Sequence, residues 1–588
     1  MHDIDVLVVG SGAAGMLAAV EVAKAGCKAV LLTKGQAARS GATATVTGDC
    51  SIAGCTSVDL LGLKADSSDT DEDFFADTVI GGKYLNDQRL AEAMVAEVGP
   101  LAKSMRDLGL RLGDPIQSPG HRKARGVWYS GMELLQALRK PVINHSIKVR
   151  EEFFATDLLL DDGVVAGVAG IDQRTGNIAA IKAKTVVLAT GGGMMIYPVQ
   201  TAPEELTGDG HSMALRAGAE LIDMEMVQFL PCTLMEPAIW RGIQFPWVLG
   251  PQSGIRAWLL NRFGERFMAK WDPVNMEFAT RDVISIACMK EAVENRGGPN
   301  GGVYLSWAHL PSNIIDFATQ WYFRTHMRGN WLWEGFDFAA LVRRIKSGEA
   351  VEVMPASHFF MGGITIDERC ASRVPGLFAC GEVAGGLHGA NRLSGNASSQ
   401  ILVQGRAAGI AAADYARRSA QPGVASAQWK RICDELEAPF ARTDGVRPME
   451  IKDELQRLAN LKVGMLRSEA SLREALDGVR RLRADALPRL FCRSQDRVYN
   501  KEWADAVECR TMIDTLEATA LAALERRESR GAHYREDFPK QDDSVLPRNS
   551  VVLQRDGQMS YATRAVRMHR LRPSLPALGA VNVPAVGR

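Results

Sequence analysis

Ile4-Asp5-Val6-Leu7-Val8-Val9 runs directly into Gly10-Ser11-Gly12-Ala13-Ala14-Gly15, and that junction decides the fold. The apolar run reads as a parallel strand buried on both faces. Met16 to Lys24 then recur at helical spacing, and Lys28 to Thr33 (KAVLLT) give a second strand. Strand, GxGxxG, helix and strand in register form a βαβ unit suited to a dinucleotide. Gly10 permits the tight turn, Gly12 lets the backbone approach a pyrophosphate, and Gly15 lets helix and strand pack closely. The N–H groups of the first helical turn, Ala13 and Ala14 among them, point at the anion. A glycine-rich turn holding no nucleotide is the bland alternative, and the complete unit disfavours it. Strand two ends in Thr33-Lys34 rather than the acid that binds a ribose diol, so NAD is not the first choice.

Outward from this unit, two more stretches repeat the pattern of strand then glycine turn. Thr185 to Gly192 (TVVLATGG) contains Ala189 and Gly191, and Gly376 to Glu382 (GLFACGE) ends on an acid. Three such stretches spread across the chain imply one nucleotide-binding domain with a long insertion between its parts. The insertion, 229–354, is rich in Trp, at 240, 247, 258, 271, 307, 321, 331 and 333. Most are expected to be core anchors, and some are candidates to wall a substrate pocket. Residues 426–530 read as charged helices. Ser550 to Val566 reads as a hairpin around Asp556-Gly557, and the last twenty residues as a loose tail.

Composition narrows the function classes. A chain of 588 residues exceeds one hydrophobic core. Lys+Arg and Asp+Glu are equal at 69 each, so no net field favours nucleic acid or an anionic membrane. No apolar run approaches the roughly 20 residues of a membrane span, and no signal-peptide pattern opens the chain. Cytoplasmic location is expected, with peripheral membrane attachment only through a partner. Ten cysteines without a CxxC pair suit neither a disulfide framework nor a zinc or iron–sulfur site, so no metal is expected in this chain.

Further motifs sharpen the picture: Arg39-Ser40-Gly41-Ala42-Thr43, Thr207-Gly208-Asp209-Gly210, Asp223 to Phe229 (DMEMVQF), Gly264-Glu265-Arg266-Phe267, Thr280-Arg281-Asp282, Ser357 to Gly363 (SHFFMGG), Gly381 to Leu393, and Arg527 to His533 (RESRGAH). In this order they resemble the flavoprotein subunit of the fumarate reductase and succinate dehydrogenase family, which includes L-aspartate oxidase. The resemblance runs from Asp5 to about Val566. It implies an α/β Rossmann-type FAD-binding domain with an inserted α+β capping domain, followed by a helical domain. The boundaries expected are 1–228 and 355–425 for the FAD-binding domain, 229–354 for the cap, 426–540 for the helices and 541–588 for the hairpin and tail.

The resemblance also implies FAD as cofactor. Its contacts would be Gly10, Gly12, Ala13, Ala14, Gly15, Lys34, Ser40, Gly41, Thr43, Gly48, Ala189, Gly191, Asp209, Glu382, Arg392 and Leu393. Respiratory members carry the flavin covalently on a His after Arg-Ser; here that position is Gly41, so FAD is expected to be non-covalent. In the family a His and an Arg, matching His358 and Arg392, grip a substrate carboxylate. A second Arg, matching Arg281, protonates the substrate carbon. Each of the three alone could be a buried structural residue; in family order they read as a working site.

Two departures bear on substrate. The family's His-Pro-Thr reads Leu230-Pro231-Cys232, and its Thr-Glu pair falls near Leu249-Gly250. A second substrate carboxylate there would be unpaired, at a cost of several kcal/mol. The expected substrate therefore carries one carboxylate or another carbonyl, and fumarate and succinate are disfavoured. With the Glu absent, protons for Arg281 would come from Asp282, Glu225 or water. His121, Arg122 and Arg125 read as a basic loop that is solvated or faces an acidic substrate. The competing functions are an amino-acid oxidase of the aspartate type, an adenylylsulfate-reductase-like protein, and an electron-transfer flavin subunit. An iron–sulfur or ferredoxin-like partner is expected for electrons.

Overall fold

The computed structural model describes residues 4–245, 248–250, 255–325, 335 and 337–574, and its centre is a five-stranded parallel sheet. In spatial order the strands are Leu377–Ala379, Thr185–Leu188, Val6–Val9, Ala29–Leu32 and Lys148–Arg150. Val6 pairs with Thr185 on one side and Ala29 on the other. The three glycine-turn stretches are thus neighbours in space, as one interrupted domain requires. All four residues of the Val6–Val9, Ala29–Leu32 and Thr185–Leu188 strands are buried, with the helices Ala13–Lys24 and Asn396–Arg418 and the strand Val164–Asp172 packed against the sheet.

Close backbone packing fixes the first helix, Ala13–Lys24. A Cβ on Gly10, whose φ is +112°, would lie 2.1 Å from the Ala189 carbonyl oxygen. The helix Asn396–Arg418 crosses the first helix where Gly405 and Gly409 face Ala14 and Ala18; a Cβ at Gly409 would meet the Ala18 oxygen at 2.4 Å.

The insertion is carried on two long paired strands, Val227–Leu234 and Val351–Phe360. With Val303–Ser306 and Trp258–Leu260 they form an antiparallel sheet covering a separate apolar core that includes Leu230, Phe267, Ile284 and Trp307. The tryptophans here serve packing. Trp307 stacks on Phe245, and Trp258 lies 4.0 Å from the His309 ring with the Arg266 guanidinium against it. Trp247, Trp331 and Trp333 lie outside the described residues, as does the side chain of Trp321.

Four helices follow: Ser426–Glu437, Pro448–Lys462, Glu469–Arg481 and Lys501–Glu525. The last is buried from Trp503 to Leu524 except at Arg510. Its charges turn inward and are paired: Glu508 with Lys34 and Lys452, Asp514 and Glu517 with Arg483. The hairpin Arg548–Arg555/Gln558–Ala565 forms around Asp556 (φ +50°) and Gly557 (φ +76°), and its first strand pairs with Leu221–Ile222 of the first domain. The start of the expected loose tail is instead anchored. The amides of Arg570 and Leu571 donate to Gln88 Oε1 at 2.9 and 3.0 Å, and His569 meets Glu92. Among the described residues no helix is long and apolar enough to cross a membrane.

Candidate active site

A cavity of about 490 Å³ opens beyond the C-terminal ends of the parallel strands, where open α/β sheets bind ligands. Gly10, Gly12, Ala13 and Ala14 line it at the start of the first helix. Gly12 caps that helix without a side chain, so the first N–H groups face the cavity; Thr43 Oγ1 accepts from Ala13 N at 3.2 Å. Ser40, Gly41, Thr43 and Gly48 form a second wall, and Ala189, Gly191 and Glu382 a third. Gly15 and Leu393 are not part of the lining. Gly15 packs beneath the Gly10 carbonyl, and the Leu393 side chain is wedged against Gly81 and Gly120.

Lys34 and Asp209 line the same cavity and bind each other at 3.0 Å. Lys34 also meets Glu508 at 2.7 Å and lies 4.1 Å over the Phe154 ring. Burial opposes its charge, but Asp209 and Glu508 raise its pKa above the ordinary value. Burial pushes the Glu382 carboxyl up to about 7, against the Phe360 N–H that donates to it at 3.1 Å. An uncapped helix start suits a pyrophosphate, and a carboxyl facing the cavity suits sugar hydroxyls. These residues fit FAD.

At the other end His358, Arg281 and Arg392 converge. His358 lies on the Val351–Phe360 strand, with Nδ1 2.7 Å from Thr201 Oγ1. Burial first, then Arg392 and Arg281, hold its pKa well below 6.5, so the imidazole is neutral. In the tautomer where Thr201 donates to Nδ1, Nε2–H is free to donate to an anion. Arg392 Nε and Arg281 both donate to Gln228 Oε1, at 3.0 and 3.3 Å. Burial and the repulsion of Arg281 lower Arg392 to about 9. Arg392 also stacks over Phe359 at 4.6 Å. Two guanidinium groups brought together under burial form a site that an anion would relieve.

Several expectations are corrected. Leu230 is fully buried in the cap core and is not a lining residue. The Leu249 side chain lies outside the described residues, and Gly250 has none to offer. No described tryptophan of the insertion lines the cavity; Trp128 of the first domain does. Arg125 is buried between Asp69 and Asp77 and His121 lies 2.7 Å from the Ser394 carbonyl, while Arg122 pairs with Asp77 with its side chain exposed; none of the three lines the cavity. Glu225 is held by Arg526 and Ser550, and neither it nor Asp282 lines the cavity. The acid that does reach this end is Asp49, beside Gly48, with Ser394 directly after Arg392-Leu393. Polar neighbours of each matched motif were the available signal. Arg241 and Gln244 of the cap, and Gln228, were also not foreseen.

This is the fold and site of a flavin-dependent oxidoreductase. The FAD binding domain family matches residues 5–398, and the fumarate reductase flavoprotein C-terminal family matches residues 452–577. The chain is similar to one subunit of the fumarate reductase (CoM/CoB) of Methanothermobacter marburgensis, 36% identical over 92% of this chain and 95% of that protein. It is 32% identical to L-aspartate oxidase of Streptomyces coelicolor over 93% of this chain and 91% of that one. Among solved structures, the E. coli quinol fumarate reductase FrdA superposes with a TM-score of 0.84 at 27% identity, covering 97% and 98% of the two chains. The chain belongs to the fumarate reductase/succinate dehydrogenase flavoprotein family.

Proposed function

We propose that this FAD enzyme moves a hydride and a proton across a C=C/CH–CH bond next to one carboxylate, with electrons exchanged with a separate partner. FAD, when bound, supplies or accepts the hydride. Gly10, Gly12, Ala13 and Ala14 would hold its pyrophosphate, and Glu382 its hydroxyls. Arg392 and neutral His358 bind the substrate carboxylate, and the bidentate guanidinium draws electron density from a conjugated double bond. Arg281 delivers the proton to the carbon that hydride does not reach. The carrying observation is the convergence of these three side chains on one cavity.

A dicarboxylate such as fumarate is the second reading, favoured by Arg241 and Gln244 in the same cavity lining and by the relatives' names. The ten cysteines are all free, and no group of His, Cys, Asp or Glu among the described residues could hold a metal, so we place any electron-carrying cluster on an iron–sulfur or ferredoxin-like partner. The test is to reduce the enzyme anaerobically, add crotonate, cinnamate or fumarate, and follow the return of oxidised-flavin absorbance. Faster reoxidation by crotonate or cinnamate is expected. Fumarate outpacing both would overturn the single-carboxylate reading. Arg281→Lys should cut turnover at least about 100-fold, the usual scale of a lost general acid.

A further inference from the structure

We propose that Asp49 is the proton relay that recharges Arg281, acting through the Ser394 hydroxyl; this rests on the assignment of Arg281 as proton donor. The geometry is a directed chain. Arg281 Nη2 donates to Ser394 Oγ at 3.1 Å, and Ser394 Oγ donates to Asp49 Oδ1 at 3.2 Å. On the far side Ser118 Oγ donates to Asp49 Oδ2 at 3.1 Å. Ser118 belongs to the 117–120 stretch, of which Gln117, Ser118 and Pro119 line the cavity, so the chain leads from the catalytic arginine through Asp49 back to the cavity wall.

The carboxylate is built in rather than incidental. Asp49 is 9% exposed on the Thr47–Ser51 strand, and its side chain lies in a slot made by Gly126 of the neighbouring strand. A Cβ on Gly126 would lie 2.5 Å from Oδ2. The other titratable or charged groups facing it are Arg281, Arg392, His121, Tyr129 and Cys50. Burial lowers His121 towards the neutral form, raises Tyr129 far above neutrality, and pushes Cys50 up to about 12. None of these three is placed to pass a proton near pH 7. Burial also lowers Arg281 from its ordinary value, and Asp49 is the acid that opposes this.

The step balances. As the substrate carbon forms its C–H bond, Arg281 loses an N–H proton and becomes a neutral guanidine. The Ser394 hydroxyl proton then passes to Arg281, and Ser394 Oγ recovers a proton through Asp49 as Asp49 takes one from the Ser118 hydroxyl, which water refills; Asp49 is a carboxylate before and after the cycle. The relay involves no change of oxidation state.

The experiment compares FAD-loaded wild type with Asp49→Asn, Asp49→Glu, Ser394→Ala and Arg281→Lys, using crotonate and fumarate with reduced viologen as electron source. Binding of acetate and malonate, which have no CH–CH bond to oxidise, is measured by flavin difference spectra. Asp49→Asn should lower kcat at least about 100-fold with acetate and malonate bound no more weakly than by wild type, and added formate should restore part of the rate. Asp49→Glu should retain more activity than Asp49→Asn, and Ser394→Ala should resemble Asp49→Asn. If Asp49→Asn does not retain FAD, Ser394→Ala carries the same test. Inactive Arg281→Lys with Asp49→Asn and Ser394→Ala within threefold of wild type overturns the relay alone. Active Arg281→Lys overturns the assignment of Arg281, and the relay with it.

Discussion

Replacing Glu508 by Gln removes one anion from a buried chain of charges that joins the helical domain to the cofactor cavity. Lys34 contacts Asp209 and Glu508; Lys452 contacts Glu508 and Asp505; Lys501 contacts Asp505. Three cations balance three anions, and Lys34, Lys452, Asp505 and Glu508 are all at least four-fifths buried. Burial would raise the Glu508 carboxyl, but Lys34 and Lys452 hold it down to about 2 from 4.5. That difference corresponds to about 3 kcal/mol of stability at neutral pH, the same scale as breaking a buried pair. Because the folded carboxyl is the stronger acid, this stability is present above pH 4.5 and is lost as pH falls towards 2. Glu508→Gln is therefore expected to lose about 3 kcal/mol in equilibrium urea unfolding at pH 7, and to bind FAD more weakly because Lys34 lines its cavity. Glu508→Gln with Lys452→Met restores neutrality and should recover most of the loss. A single variant within about 0.5 kcal/mol of wild type, or a double variant no better than the single, would refute the charge-balance argument.

Acid precipitation of the holoenzyme should leave a colourless pellet and put all flavin in the supernatant, because Gly41 has no side chain to form a tether; a yellow pellet would disprove this. Gln228→Glu should weaken acetate and malonate binding on the order of tenfold, since an internal carboxylate would then compete for Arg281 and Arg392 in a site where one ion pair is worth more than about 1.4 kcal/mol. Calorimetric titration reads it, and unchanged affinity would show that Gln228 does not set the charge of the site.

The cofactor half of the site was legible because its signals are local. Gly10, Gly12 and Gly15 act within one turn of chain, and their spacing carries their geometry. Lys34 and Asp209 could be named by motif, but not the second anion on Lys34, since Glu508 lies in a helix hundreds of positions away that reads only as charged. The charged helical region gave no sign of its inward pairs because composition cannot say which way a charge points; Glu508, Asp514 and Glu517 point inward. Arg125 misled for the same reason. Asp49 was invisible because its partners, Ser118 and Ser394, are local to nothing near it.

What unites the substrate end is a neutral amide. Gln228 Nε2 donates to Asn391 Oδ1 at 3.1 Å and to the Arg392 carbonyl at 2.8 Å, which fixes its oxygen towards the two arginines. Both guanidinium groups therefore have one hydrogen-bond partner in common but no anion from it. Their positive charge is oriented by an amide that does not neutralise it, Asp49 being the acid that faces both, and burial keeps the field undiluted by water. An acid at position 228 would stabilise the protein and consume the charge that binds substrate. Gln228 also sits on one of the two strands that carry the cap, and His358 on the other, so the elements that hold the insertion are the same ones that aim its chemistry at the cavity.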